Sequence, residues 1–92
     1  MTRIVIREII WDSWNVIHID RHKVSQQEAL EAGKNIVYHK VTYNGRYLVI
    51  GRSGNRLIAL VVLRKKTGTY YLITARDASK PERRKVYEKE KK

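Results

Sequence analysis

Arg46-Tyr47-Leu48-Val49-Ile50-Gly51-Arg52-Ser53-Gly54-Asn55-Arg56-Leu57-Ile58-Ala59-Leu60-Val61-Val62-Leu63 decides the fold. β-branched, aromatic and aliphatic residues flank a short turn, Ser53-Gly54-Asn55, which is the pattern of two paired strands. Arg46 to Arg52 forms the first. Arg56 to Leu63 is apolar on both faces, as a strand in the middle of a covered sheet must be. Working outward, Ile36 to Tyr43 is β-rich and joins this unit through Asn44-Gly45, a dipeptide that tolerates the positive φ of a tight hairpin. On the other side Arg64 to Gly68 turns and Thr69 to Ala75 is the last strand. The expected sheet is an antiparallel meander. In its last strand, simple alternation puts Tyr70, Leu72, Thr74 and Arg76 on one face and Tyr71, Ile73 and Ala75 on the other. Gly51-Arg52-Ser53-Gly54 is glycine-rich but lies between strands. A phosphate loop leads into a helix, so this segment reads as a hairpin turn.

The flanks are helical. Arg3 to Trp11 is enriched in Ile and Val and predicts one more strand. Asp12 and Ser13 are good cap residues, and spacings of three and four from Trp14 predict a helix over 13–21. Ser25 and Glu28 have the spacing of a capping box, opening a second helix that stops near Gly33. Ser79, Pro81 and Glu82 give the clearest start, for a helix over about 80–89 with a frayed basic tail at 89–92. Trp11 and Trp14 are expected to pack between the first helix and the sheet. The predicted class is α+β. One domain spans 1–92, with two N-terminal helices against one sheet face and a C-terminal helix.

Ninety-two residues suffice for one modest core. With no cysteine, disulfide scaffolds, thiolate metal sites and cysteine nucleophiles are excluded. The longest apolar run, Leu57 to Leu63, is too short to cross a bilayer. Arg3, Arg7 and Glu8 interrupt any apolar leader. A soluble, cytoplasmic protein that does not act at a membrane is the expectation. The formal net charge is +11, and its distribution is lopsided. Residues 1–35 carry five basic and five acidic side chains, whereas residues 36–92 carry fifteen and four, so the whole surplus lies in the second part. Such a one-sided cationic surface attracts polyanions, and three partners fit: RNA or DNA, an anionic membrane surface, or an acidic protein, with nucleic acid foremost.

Candidate chemistry is limited. His18 and His22 share a helix face, but H-E-x-x-H is absent and Arg21 is adjacent, so no metal or other cofactor is expected. Either one of these histidines belongs to the core, or Arg21 and His22 meet a phosphate in a cleft. No paired carboxylates and no Ser-His-Asp arrangement emerge. Asp77 is assigned only a supporting role beside an arginine. Arg46, Arg56 and Arg76 stand at strand ends, while Arg52 and Arg64 read as ordinary solvated residues. Tyr38, Tyr43, Tyr47, Tyr70 and Tyr71 interleave with cations and read first as sheet residues, second as base-stacking rings.

Several pieces, in order, resemble the BrnT family of small toxins, which share the RelE-like ribonuclease fold. They are Trp11-Asp12; Arg21-His22-x-Val24 followed by Ser25 and Glu28-Ala29; Arg46-Tyr47-x-x-Ile50-Gly51-x-Ser53; Arg56-Leu57; Ile73-Thr74-Ala75-Arg76-Asp77-Ala78; and Glu82-Arg83-Arg84 with Tyr87. The likeness covers about residues 9–88. Where the family usually has Ser-Ala-Arg this chain has Thr74-Ala75-Arg76. Where it usually has Lys-His-Gly-Val this chain has Arg21-His22-Lys23-Val24. The acidic residue normally placed just before Arg46 is missing.

The resemblance implies a metal-independent endoribonuclease, the toxin of a type II toxin–antitoxin pair. A cognate antitoxin protein would cover the basic cleft, and operator DNA would be bound only through that complex. RNA cleaves when its 2′-OH attacks the adjacent phosphate, and arginines stabilise the added charge without a metal. On this reading Arg46 and Arg76 hold the phosphate and Arg21 assists. His22 moves the proton and Thr74 orients. Lys23, Arg56, Lys80, Arg83 and Arg84 hold flanking RNA. The alternatives are a non-catalytic nucleic-acid-binding module on the same fold, or an interaction domain for an acidic protein.

Overall fold

Positive φ at Asn44 (60°) and Gly45 (72°) closes the first hairpin of the sheet, as the dipeptide predicts. The computed structural model describes residues 4–42 and 44–91. Arg3, Tyr43 and Lys92, parts of an expected strand, a second strand and a tail, lie outside the described residues. In chain order the elements are β1 (Glu8–Ile10), α1 (Ser13–Arg21), α2 (Gln26–Lys34), β2 (Ile36–Val41), β3 (Arg46–Ser53), β4 (Arg56–Lys66), β5 (Thr69–Asp77) and α3 (Lys80–Glu90). Among the described residues no helix is long and apolar enough to cross a membrane.

The architecture is α+β around one five-stranded sheet of order β1-β5-β4-β3-β2. The sheet is mixed, which corrects the all-antiparallel expectation. β2 to β5 alternate in direction, but β1 lies parallel to β5, with Ile9 opposite Tyr70. The backbone N–H groups of Arg7 and Glu8 both donate to Gly68 O, at 2.9 and 3.0 Å, at the β4–β5 hairpin. That anchor fixes where β1 enters and therefore its direction.

A second correction concerns β5. Val61 pairs with Thr74 but Val62 pairs with Leu72, so Ile73 is an extra residue, a β-bulge. A bulge reverses the alternation beyond it. Tyr70 and Leu72 face the core under α1 and α2, but after the bulge it is Ala75 that does so. Thr74 and Arg76 are thereby delivered to the opposite face.

The two faces carry separate cores. On one, Ile19 of α1, Ala29 and Ala32 of α2, and Ile4, Ile6 and Ile9 pack on Val49, Ile58, Leu60, Val62 and Leu72. On the other, Val86 of α3 packs on Leu48, Ile50, Leu57, Ala59 and Ala78. Gly51 explains how α2 comes so close: a Cβ there would fall on the carbonyl oxygen of Ala32. Gly51 is thus a contact residue inside β3, and the turn itself is Gly54-Asn55. Trp11 packs partly buried against the first core, whereas Trp14 is 54% exposed and does not lie between helix and sheet.

All three helices open with a reciprocal capping box, Asp12 with Asn15, Ser25 with Glu28 and Ser79 with Glu82. Asn15 does more than cap. It is fully buried, and its Nδ2 donates to Ile10 O (2.9 Å) and Leu72 O (3.1 Å), tying the β1–α1 corner to β5. Between α1 and α2, Lys23 adopts φ 60°, a left-handed conformation that costs an L-residue about 1 kcal/mol. Lys23→Gly removes that cost but adds backbone freedom to the unfolded chain. The expected net gain is about 0.5 kcal/mol, read as a melting temperature about 2–4 °C higher.

Candidate nucleic-acid interface

The basic half of the chain holds four acidic residues, Asp77, Glu82, Glu88 and Glu90, and three of them are spent on sheet arginines. Arg52 Nη2 donates to both oxygens of Glu90 at 2.7 Å. Arg56 Nε donates to Asp77 at 2.6 Å, and its Nη1 donates to Glu28 at 2.9 Å. Arg76 grips Glu82 with two guanidinium nitrogens, at 2.8 and 3.0 Å. These contacts bind α3 to β3 and β5, α2 to β4, and β4 to β5. Arg52, read from sequence as solvated, is therefore a tether. Arg56, read as an RNA contact, is committed to two carboxylates. Asp77 supports an arginine as expected, and that arginine is Arg56.

The guanidinium of Arg76 holds the Glu82 carboxyl at about 2, with the Ser79 N–H acting in the same direction and burial opposing both. Arg56 likewise lowers Asp77. Glu28 is lowered first by the Ser25 N–H and then by Arg56. For Glu82 the folded-state value lies below the unfolded value of 4.5, so its stabilisation is complete above that pH and is lost as pH falls toward 2. The pair contributes at most about 3 kcal/mol, reduced toward about 2 by solvent screening because Arg76 is 37% exposed. Denaturant unfolding between pH 5 and pH 2.5 is expected to show this loss, and Glu82→Gln to flatten that part of the curve.

With Glu82 and Glu90 turned toward the sheet, α3 presents cations outward. Lys80, Arg83, Arg84 and Lys91 surround a groove of about 450 Å³ with Tyr87, itself 50% exposed, and one carboxylate, Glu88. Arg83 Nη1 also donates to Ala78 O at 3.1 Å, which anchors its stem at the start of the helix. A cationic groove with an exposed ring is suited to tracking a sugar–phosphate chain while stacking a base.

The expected catalytic set divides. Thr74 and Arg76 share the α3 face. Arg46 opens β3 on the same face, but the register sets it four residues along β4 and two strands away from Arg76. That is about 13 Å along the strands and about 10 Å across them. Arg21, His22 and Lys23 are exposed at the end of α1, whose Ile19 seals the other face of the sheet. Arg21 borders Trp14, Ile17 and His18 instead of a phosphate cleft. His18 stacks on Trp14 with ring centres 4.8 Å apart, and His22 meets His18 edge-on at 5.3 Å. Among the described residues no three His, Asp or Glu side chains gather as a metal-holding group. Sequence reasoning misses the pairing of α3 carboxylates with sheet arginines. Its only local signal is Glu82 at the third position of a capping box. Compared with known protein families, with curated proteins and with solved structures, the chain matches none.

Proposed function

We propose that this protein holds a nucleic-acid backbone, RNA in the first place, on the outer face of α3 and the adjoining rim of the sheet. One observation carries the reading. The acidic residues Glu82 and Glu90 are engaged by Arg76 and Arg52, so the outward groove of α3 keeps Lys80, Arg83, Arg84 and Lys91 beside Tyr87, against one carboxylate, Glu88. Counter-ions released from the backbone by such cations supply affinity without sequence readout. RNA is preferred over DNA because of the resemblance to a ribonuclease family.

A narrower reading, the metal-independent endoribonuclease of a toxin–antitoxin pair on a RelE/BrnT-like fold, has one structural observation in its favour. Lys23 takes the left-handed backbone at the place where the resembled family has glycine. Working against it, the guanidinium groups and the imidazole expected to share one pocket lie on two sides of the sheet. Cleavage would then fall to Thr74 and Arg76, which share a face, with Arg76 first released from Glu82 and Arg46 standing apart from both.

A labelled single-stranded RNA, titrated with the protein from 50 to 300 mM salt and then run on a denaturing gel, separates these readings. Steeply salt-dependent binding with intact RNA supports the binding module. Cleavage that disappears in Arg76→Ala supports the nuclease. Absence of binding at the lowest salt overturns both.

A further inference from the structure

β2 is the last strand of the sheet, and among the described residues nothing pairs with its outer edge. Thr42 N donates to Arg46 O at 2.8 Å, so by alternation Lys40 and Tyr38 point their N–H groups at β3, while those of His39 and Val41 point outward. Beside this edge runs a cavity of about 500 Å³. It is lined by Ile36–His39 of β2, by Ile4 and Val5, and by Lys89 of α3. Val5 and Val41 are 45% and 64% exposed, so apolar surface flanks the unpaired backbone groups.

We propose that the outer edge of β2 accepts an extended acidic segment of a partner protein as a sixth strand. Backbone pairing to an unpaired edge supplies affinity, and alternate side chains supply specificity. The occupant's charge follows from the surroundings. Lys34 and Lys89 border the cavity and Lys40 sits on the strand itself. A second copy of this chain brings the same lysines and its own +11, and repels. A carboxylate-bearing strand is attracted, and its apolar residues find Ile4, Val5 and Ile36. The register shift between Ile36 and Tyr38 interrupts the edge at one end, leaving Tyr38 to Val41 as the pairing segment. Bulges and lysines are devices that suppress indiscriminate edge pairing, which favours a partner that neutralises Lys40 over one that merely aggregates. This inference stands apart from the reading of α3.

The test uses two synthetic ten-residue peptides, one alternating Val with Glu and one alternating Val with Lys, added to the full chain. Backbone amide exchange is followed residue by residue. The Val–Glu peptide is expected to protect the amides of His39 and Val41, and the Val–Lys peptide to leave them unchanged. Val41→Pro, which removes an outward donor and no bond to β3, is expected to weaken Val–Glu binding about fivefold or more. Lys40→Glu, a surface change that leaves the backbone alone, is expected to weaken it severalfold and to allow the Val–Lys peptide to bind, which it does not do on the unaltered chain. Protection confined to other parts of the molecule, equal protection by both peptides, or a doubling of mass on protection overturns the proposal. So does protection of the same amides by an RNA oligonucleotide.

Discussion

Gly51→Ala is expected to destabilise the protein by about 3 kcal/mol or more, lowering its melting temperature by at least about 12 °C. The new Cβ would occupy the position of the Ala32 carbonyl oxygen, and the next closest atoms are Ala32 C and Cα. All of these are backbone, so no side chain swings aside to make room. α2 must move as a unit, and it carries Ala29 and Ala32 into the core, Glu28 onto Arg56 and Glu31 onto Ser53. A domain of this size has only about 5–14 kcal/mol in total, so the loss is a large fraction of it. Gly54→Ala is the control. Gly54 has φ 61° and an added methyl there would meet nothing within 4 Å, so only the left-handed cost of about 1 kcal/mol applies. Thermal unfolding of both variants checks the contrast; equal losses would mean that the approach of α2 to β3 is not what Gly51 provides.

The same residue shows where sequence reading stops. Ser25 with Glu28, Ser79 with Glu82 and Asn44-Gly45 are legible because their physics is local: the partners lie within three residues, and the side chains dictate the backbone. Gly51 reads as a turn glycine because it lies three residues from Gly54; its real partner, Ala32, is distant in sequence. The bulge at Ile73 leaves no trace in Leu72-Ile73-Thr74, yet it reverses the face of every later residue in β5 and so relocates Thr74 and Arg76. The parallel seat of β1 depends on Gly68 O receiving two N–H groups from a segment some sixty residues earlier. Trp14 is expected inside because it is tryptophan, but the helix turns Asn15 and Ile19 to the core and leaves Trp14 beside His18. The arginines are legible as cations. Which of them are neutralised is not, because each carboxylate partner comes from another element.

That distinction between neutralised and outward cations predicts how binding responds to mutation. Replacing Lys80, Arg83 and Arg84 together by Gln is expected to weaken RNA binding about a hundredfold at 50 mM salt and to reduce the slope of log affinity against log salt by about 2–3. Replacing Arg64, Lys65 and Lys66 by Gln is the matched control. Each triple change takes three charges from +11 and leaves +8. Both sets lie largely on exposed surface, but the second sits at the β4–β5 hairpin, away from α3. If affinity followed net charge alone, the two variants would lose it equally. If the groove on α3 seats the backbone, the first loses far more. Arg83 also donates to Ala78 O, so thermal unfolding of the first variant must accompany the titration. A third variant, Tyr87→Ala, separates stacking from charge: it is expected to lower affinity about fivefold or more while leaving the salt slope unchanged, because a ring releases no counter-ions.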